Sequence, residues 1–134
     1  MEFKTWVIIG ALLGMTGVAL GAFGAHGLAA RLEANGRSGT FQTAVQYHQL
    51  HAVALIALGA LIAATAQTNP GAFNLAGVLM TVGTVIFSGA LYVLAIFDLR
   101  IMGAVAPIGG TLMVAGWAAL LWAVLNLSSP QVLS

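Results

Sequence analysis

The chain contains no cysteine, which excludes disulfides, thiol catalysis and thiolate metal sites and leaves the redox compartment open. Charge is nearly as scarce. Only 5% of the 134 residues are Asp, Glu, Lys or Arg, where a soluble domain carries roughly 25%. A net charge of +1, with no basic patch, excludes nucleic acid as a partner. With 60% hydrophobic residues, so short a chain cannot hide its apolar surface from water, because small domains keep a large fraction exposed. The solvent for most of its side chains is therefore a lipid bilayer.

What is present is four long apolar runs. A spanning helix needs about 20 mostly apolar residues, and uncharged candidates cover about 5–26, 43–66, 73–97 and 101–127. The expected fold is a single all-α integral membrane domain over residues 1–134, with four transmembrane helices in an antiparallel bundle. Pro107 leaves two readings of the last span. Either 101–106 is a short lead-in segment and proline opens the helix, or one long helix runs through and kinks there. "MEFK", the first apolar run and the small residues of "GAFGA" also resemble a cleavable signal peptide. The run exceeds the usual signal length, and its glycines fit a retained helix better.

Four spans put both termini on one side with the 67–72 loop. Lys4 is the basic side chain there; Arg31, Arg37 and Arg100 lie on the other. The positive-inside rule makes the arginine-bearing loops cytoplasmic and both termini external.

Gly10, Gly14, Gly17, Gly21 and Gly24 recur at intervals of four and three. At the helical period they fall within an arc of roughly 80 degrees. Lipid gives helices no hydrophobic reason to associate, so association rests on close packing, which glycine permits. The stripe is expected to pack inside a tight bundle; the alternative is that it clasps another subunit. Trp6 and Trp122 suit an interfacial belt, and Trp117 suits the bundle interior.

The three histidines gather near the arginine-bearing ends of the spans: His26 closing the first, His48 and His51 opening the second. His48 and His51 share a helix face, and Asp98 returns to the same side. Imidazoles with a carboxylate ligate zinc or iron, which makes His26, His48 and His51 candidate metal ligands. The spacing matches no compact metal motif, and no further cue supports haem. A proton relay through His51, Tyr47 and Asp98 is a second reading. The preferred one is a structural polar latch. In it His26 bonds carbonyls at the end of the first helix, and His48 and His51 brace the loop at 31–40. Asp98 and Arg100 read as a local ion pair. Ser88 is the serine deep in a span, with Tyr92 one turn away, and reads as a helix-contact hydroxyl rather than a nucleophile.

"LGAFGAHGL", "FQTAVQYHQLHAVAL", "IFSGALYVLAI" and "PIGGTLMVAGWAALL", in that order, resemble the domain of unknown function 423 family of small four-helix membrane proteins. Its eukaryotic relatives include transmembrane protein 256. The resemblance implies an integral protein of a bacterial inner membrane or a mitochondrial-type membrane. It makes His26, Tyr47, His48, His51, Ser88, Tyr92, Pro107, Gly109, Gly110 and Trp117 the motif residues, without a catalytic or ligand role for any. The functional expectation is a non-enzymatic accessory subunit of a membrane complex, or a homo-oligomer, with no cofactor. The alternative is a small metal-, proton- or ligand-binding or transport protein using the one-sided histidine cluster.

Overall fold

Glycine intervals and apolar runs become five helices in the structure, a computed structural model that describes residues 2–66 and 70–127. They are α1 (Phe3–Ala25), α2 (Ala29–Ala34), α3 (Ser38–Thr65), α4 (Gly71–Phe97) and α5 (Met102–Leu125). All but α2 are long and apolar enough to cross a membrane. Part of the 67–72 loop, residues 67–69, lies outside the described residues.

The glycine face of α1 meets α3 of the same chain. A methyl group added at Gly10 would come within 2.7 Å of the Ala52 carbonyl oxygen, and one at Gly17 within 3.1 Å of Gln49. Gly24 lies directly against the Phe41 ring, and Gly21 against Val45. Numbers rise along α1 as they fall along α3, so the pair is antiparallel. The α4–α5 pair repeats the device. Gly109 lies against the Phe87 backbone, and a methyl at Gly116 would come within 2.8 Å of Met80. Helices α3 and α4 join the two pairs through a core of Trp6, Leu55, Leu58, Ile62, Phe73, Met80 and Ala123.

The first connection is more ordered than a loop. Helix α2 occupies part of 31–40 and ends in a Schellman turn: Gly36 N–H donates to Glu33 O, and Arg37 N–H donates to Leu32 O at 2.8 Å. Gly36 holds φ +65°, the left-handed region that an L side chain resists. This turn lets α3 start at Ser38, five residues before the apolar run expected at 43, so the polar lead-in of Gln42 and Gln46 is helical.

One of the two open readings at Pro107 is decided here, and one expectation is corrected. Residues 102–106 are helical, so Pro107 lies inside α5 and does not begin it. Proline has no N–H, so the Gly103 carbonyl loses one intrahelical partner, a loss that membrane helices tolerate. Trp6 is 1% exposed and not a lipid-facing belt residue. Its ring fills the slot that Gly77 leaves on α4, and its indole N–H donates to Asn74 Oδ1 at 2.9 Å. Trp122, by contrast, is 66% exposed.

Candidate functional site

Three residues of separation on a helix turn two side chains about 60 degrees apart. That divergence sends His48 and His51 into different grooves of the bundle. His48 Nδ1 is 2.8 Å from Tyr92 Oη on α4, and its Nε2 is 3.2 Å from Thr16 Oγ1 on α1. The Thr16 hydroxyl spends its proton on its own helix, at Leu12 O. His48 Nε2–H therefore donates to Thr16, and Tyr92 O–H donates to Nδ1. His51 turns the other way. Its Nδ1 is 2.8 Å from the Tyr47 carbonyl, and the Trp117 indole N–H donates to its Nε2 at 3.1 Å. A carbonyl only accepts and an indole only donates, so His51 carries its proton on Nδ1. The two imidazoles are opposite neutral tautomers, each fixed by its partners.

Both rings are buried, and neither braces the loop as expected. His51 sits halfway along the 28-residue α3, well below the helix ends. Ser88 adds a third tie, donating its hydroxyl to Ala44 O at 2.8 Å. Among the described residues, no buried side-chain nitrogen or oxygen lacks a partner. That is the condition for a polar network to stabilise in a medium without water. Trp117 departs from its expected place: it is 43% exposed, lying over the α3–α5 groove with its N–H turned inward.

The other candidates lie elsewhere. His26 is exposed at the C-cap of α1 and caps with its backbone N–H, which bonds Ala22 O and Phe23 O. Asp98 pairs with Arg37 at 3.1 Å and not with Arg100. The reason is its left-handed backbone (φ 50°) just past α4, which reverses the chain and presents the carboxylate to α3's first turn. Among the described residues, no three His, Asp or Glu side chains come close enough to hold a metal ion. The trio of His26, His48 and His51 is thus not gathered into a metal site. Nor is the relay from Tyr47 and His51 to Asp98 assembled, because Asp98 stays at the helix ends.

At those ends, α2 caps α4. Arg31 Nε–H donates to Ile96 O at 2.7 Å, and the Asn35 amide reaches Ala95 O and Ile96 O at 3.0 and 3.1 Å. These carbonyls belong to the last turn of α4, where helix geometry leaves them without partners and partly negative. Sequence reading missed this role for Arg31 and Asn35, and the bond from Thr16 to His48. A hydroxyl one residue before Gly17, on the stripe's flank, was the available signal.

A family model described as a protein of unknown function (DUF423) matches residues 20–110. The chain belongs to this family. It is 45% identical over 118 residues to a UPF0382 membrane protein of Staphylococcus haemolyticus, covering 88% of this chain and 93% of that one. It is 39% identical to the UPF0382 membrane protein YwdK of Bacillus subtilis, over 85% of this chain and 90% of the relative. It is 37% identical to the UPF0382 inner membrane protein YgdD of Escherichia coli, over 98% of both. No solved structure matches. The chain is accordingly an all-helical membrane protein with four spans, and His48, His51 and Tyr92 hold those spans to one another.

Proposed function

We propose that this protein is a non-enzymatic helical scaffold serving as an accessory subunit of a larger membrane complex. The observation that carries this reading is the commitment of its polar groups. His48, His51, Thr84 and Ser88, the buried polar residues of the spans, each bond a partner inside the chain. None is left to act on a substrate. The outer helices α1 and α5 present apolar side chains outward, among them Met15 and Val18 on one and Val114 and Leu121 on the other. Lipid or a partner's helix covers such surfaces equally well. Native mass spectrometry of the protein released gently from its own membrane tests the proposal. Added mass of another protein supports it; a bare monomer or a homo-oligomer counts against it.

One observation favours a second reading, a small ligand- or proton-binding protein. A groove of about 240 Å³ between α1 and α4 is lined by Thr16, His48, Ser88 and Tyr92. On this reading His48→Ala abolishes a ligand-binding or proton-linked signal with the fold intact. On the scaffold reading it only lowers thermal stability.

The orientation belongs to the same proposal. The ends bearing Arg31, Arg37 and Arg100 face the cytoplasm, and both termini face out. Because the chain has no cysteine, single Ser38→Cys and Lys4→Cys variants can be labelled in intact cells with a membrane-impermeant maleimide. Lys4→Cys is expected to label and Ser38→Cys is not; the opposite pattern inverts the topology.

A further inference from the structure

A stripe of glutamine runs down one face of α3. Gln42, Gln46 and Gln49 are spaced by four and three, and the first two are exposed. Gln49 lies over α1, its amide nitrogen 3.9 Å from where a methyl at Gly21 would sit. Among the described residues none of the three has a hydrogen-bond partner, although His48 and Ser88 nearby are bonded across helices. An amide at the edge of a bilayer needs a partner, because desolvating it unbonded is costly.

Gln42 and Gln46 open into a groove of about 580 Å³ between the end of α1, α2 and the first turns of α3. Phe41 and Val45 form its floor, and Glu33 and Ser38 form its rim. Its charge is one-sided. Among the described residues, Glu33 lines it without an ion pair, and no arginine or lysine does. The two nearest guanidinium groups point away: Arg31 is spent on the Ile96 carbonyl, and Arg37 on Asp98. Below the glutamines the same side of the α1–α3 pair turns apolar and open, at Val18 (64% exposed) and Val53 (66% exposed).

An acidic rim, neutral amides beneath it and an apolar track below match the parts of one kind of molecule. We infer that the groove seats a membrane phospholipid whose head carries a primary ammonium group, a phosphatidylethanolamine. The ammonium lies against Glu33, the glutamine amides donate to the phosphate and ester oxygens, and the acyl chains run along Val18 and Val53. An anionic head without an ammonium meets only repulsion at Glu33. The inference stands apart from the accessory-subunit reading, since a lone chain would bind the lipid equally well.

The test is competition in nonionic detergent. Purified protein receives equal amounts of dioleoyl phosphatidylethanolamine and dioleoyl phosphatidylglycerol, and the bound lipid is read by native mass spectrometry. Wild type is expected to retain the former about threefold to fivefold more, the scale of one exposed ion pair. Glu33→Gln abolishes the preference. Glu2→Gln, at the opposite helix ends, keeps it. Gln46→Leu lowers total phosphatidylethanolamine occupancy and supplies the test if Glu33→Gln does not fold. Equal retention by wild type, a preference unchanged in Glu33→Gln, or unchanged occupancy in Gln46→Leu overturns the assignment.

Discussion

Because the Trp117 indole can only donate and the Tyr47 carbonyl can only accept, His51 has a single satisfied state, and its side-chain partner can be removed by substitution. Trp117→Phe keeps the ring contact at the edge of His51 but strips the bond to Nε2. Interhelical hydrogen bonds in membranes average about 0.6 kcal/mol, with a maximum near 1.7. Trp117→Phe is therefore expected to destabilise by about 1 kcal/mol in a denaturing-detergent titration. His51→Ala leaves the Trp117 indole N–H unbonded and a cavity besides, while the Tyr47 carbonyl keeps its intrahelical bond, and should cost about 2 kcal/mol or more. In a double-mutant cycle the two should be non-additive, because the second substitution finds the bond they share already broken. Additive losses would mean that the pair does not meet. Gly36 supplies a residue-scale control at the surface. Its φ of +65° opposes any Cβ, although nothing lies within 4 Å of it. Gly36→Ala should thus cost about 1 kcal/mol from backbone strain alone.

Helices pair closely here wherever glycine removes a side chain from between two backbones, and the local space at each glycine predicts its substitution. At Gly109 a methyl group would collide with the Phe87 backbone and the Gly83 carbonyl. Backbone cannot rotate aside, so Gly109→Ala should separate α4 from α5 and cost about 3 kcal/mol, the upper range of overpacking. Gly89 lies in the middle of α4 with nothing within 4 Å. Gly89→Ala there should leave stability unchanged or raise it by up to about 1 kcal/mol, since alanine is the better helix former. Thermal scans of the two variants side by side decide the matter, and a loss at both would contradict the local-space argument. The α1 stripe was legible from sequence because helical period alone places five glycines on one face. The groove each histidine enters was not, because it depends on how α1 and α5 are docked around α3, and a period carries no such information. Trp6 misled for a related reason. Tryptophan near a span's end suits a lipid interface, and only the slot at Gly77, seventy-one residues away in sequence, turns it inward. Asp98 misled because its left-handed cap reverses the chain, taking the carboxylate from its neighbour Arg100 to Arg37.

Across the whole molecule, two kinds of contact divide the labour. Within the α1–α3 and α4–α5 hairpins, glycine brings backbones together. Between the hairpins, side-chain hydrogen bonds make the connection: Trp6 to Asn74, His48 to Tyr92, Ser88 to Ala44 and Trp117 to His51, with Arg31, Asn35 and Arg37 on the end of α4. Lipid supplies no hydrophobic drive to hold the halves, so directional bonds and the packed core around Met80 do so. The division has a direct consequence for a chain severed between Ala66 and Pro70. Each half keeps its own glycine contacts and can insert as a hairpin, and the two halves carry complementary donors and acceptors. Co-expressed with a tag on one half only, they are expected to co-purify. Combining His48→Ala with Ser88→Ala removes two of the cross-hairpin bonds, worth about 0.6 kcal/mol each on average. Recovery of the untagged half should then fall severalfold, roughly the sevenfold that such a sum implies. Gly89→Ala, which touches nothing between the halves, should leave recovery as it was. If the double variant recovers as much partner as wild type, apolar packing alone holds the hairpins together and the histidines must be kept for something other than architecture.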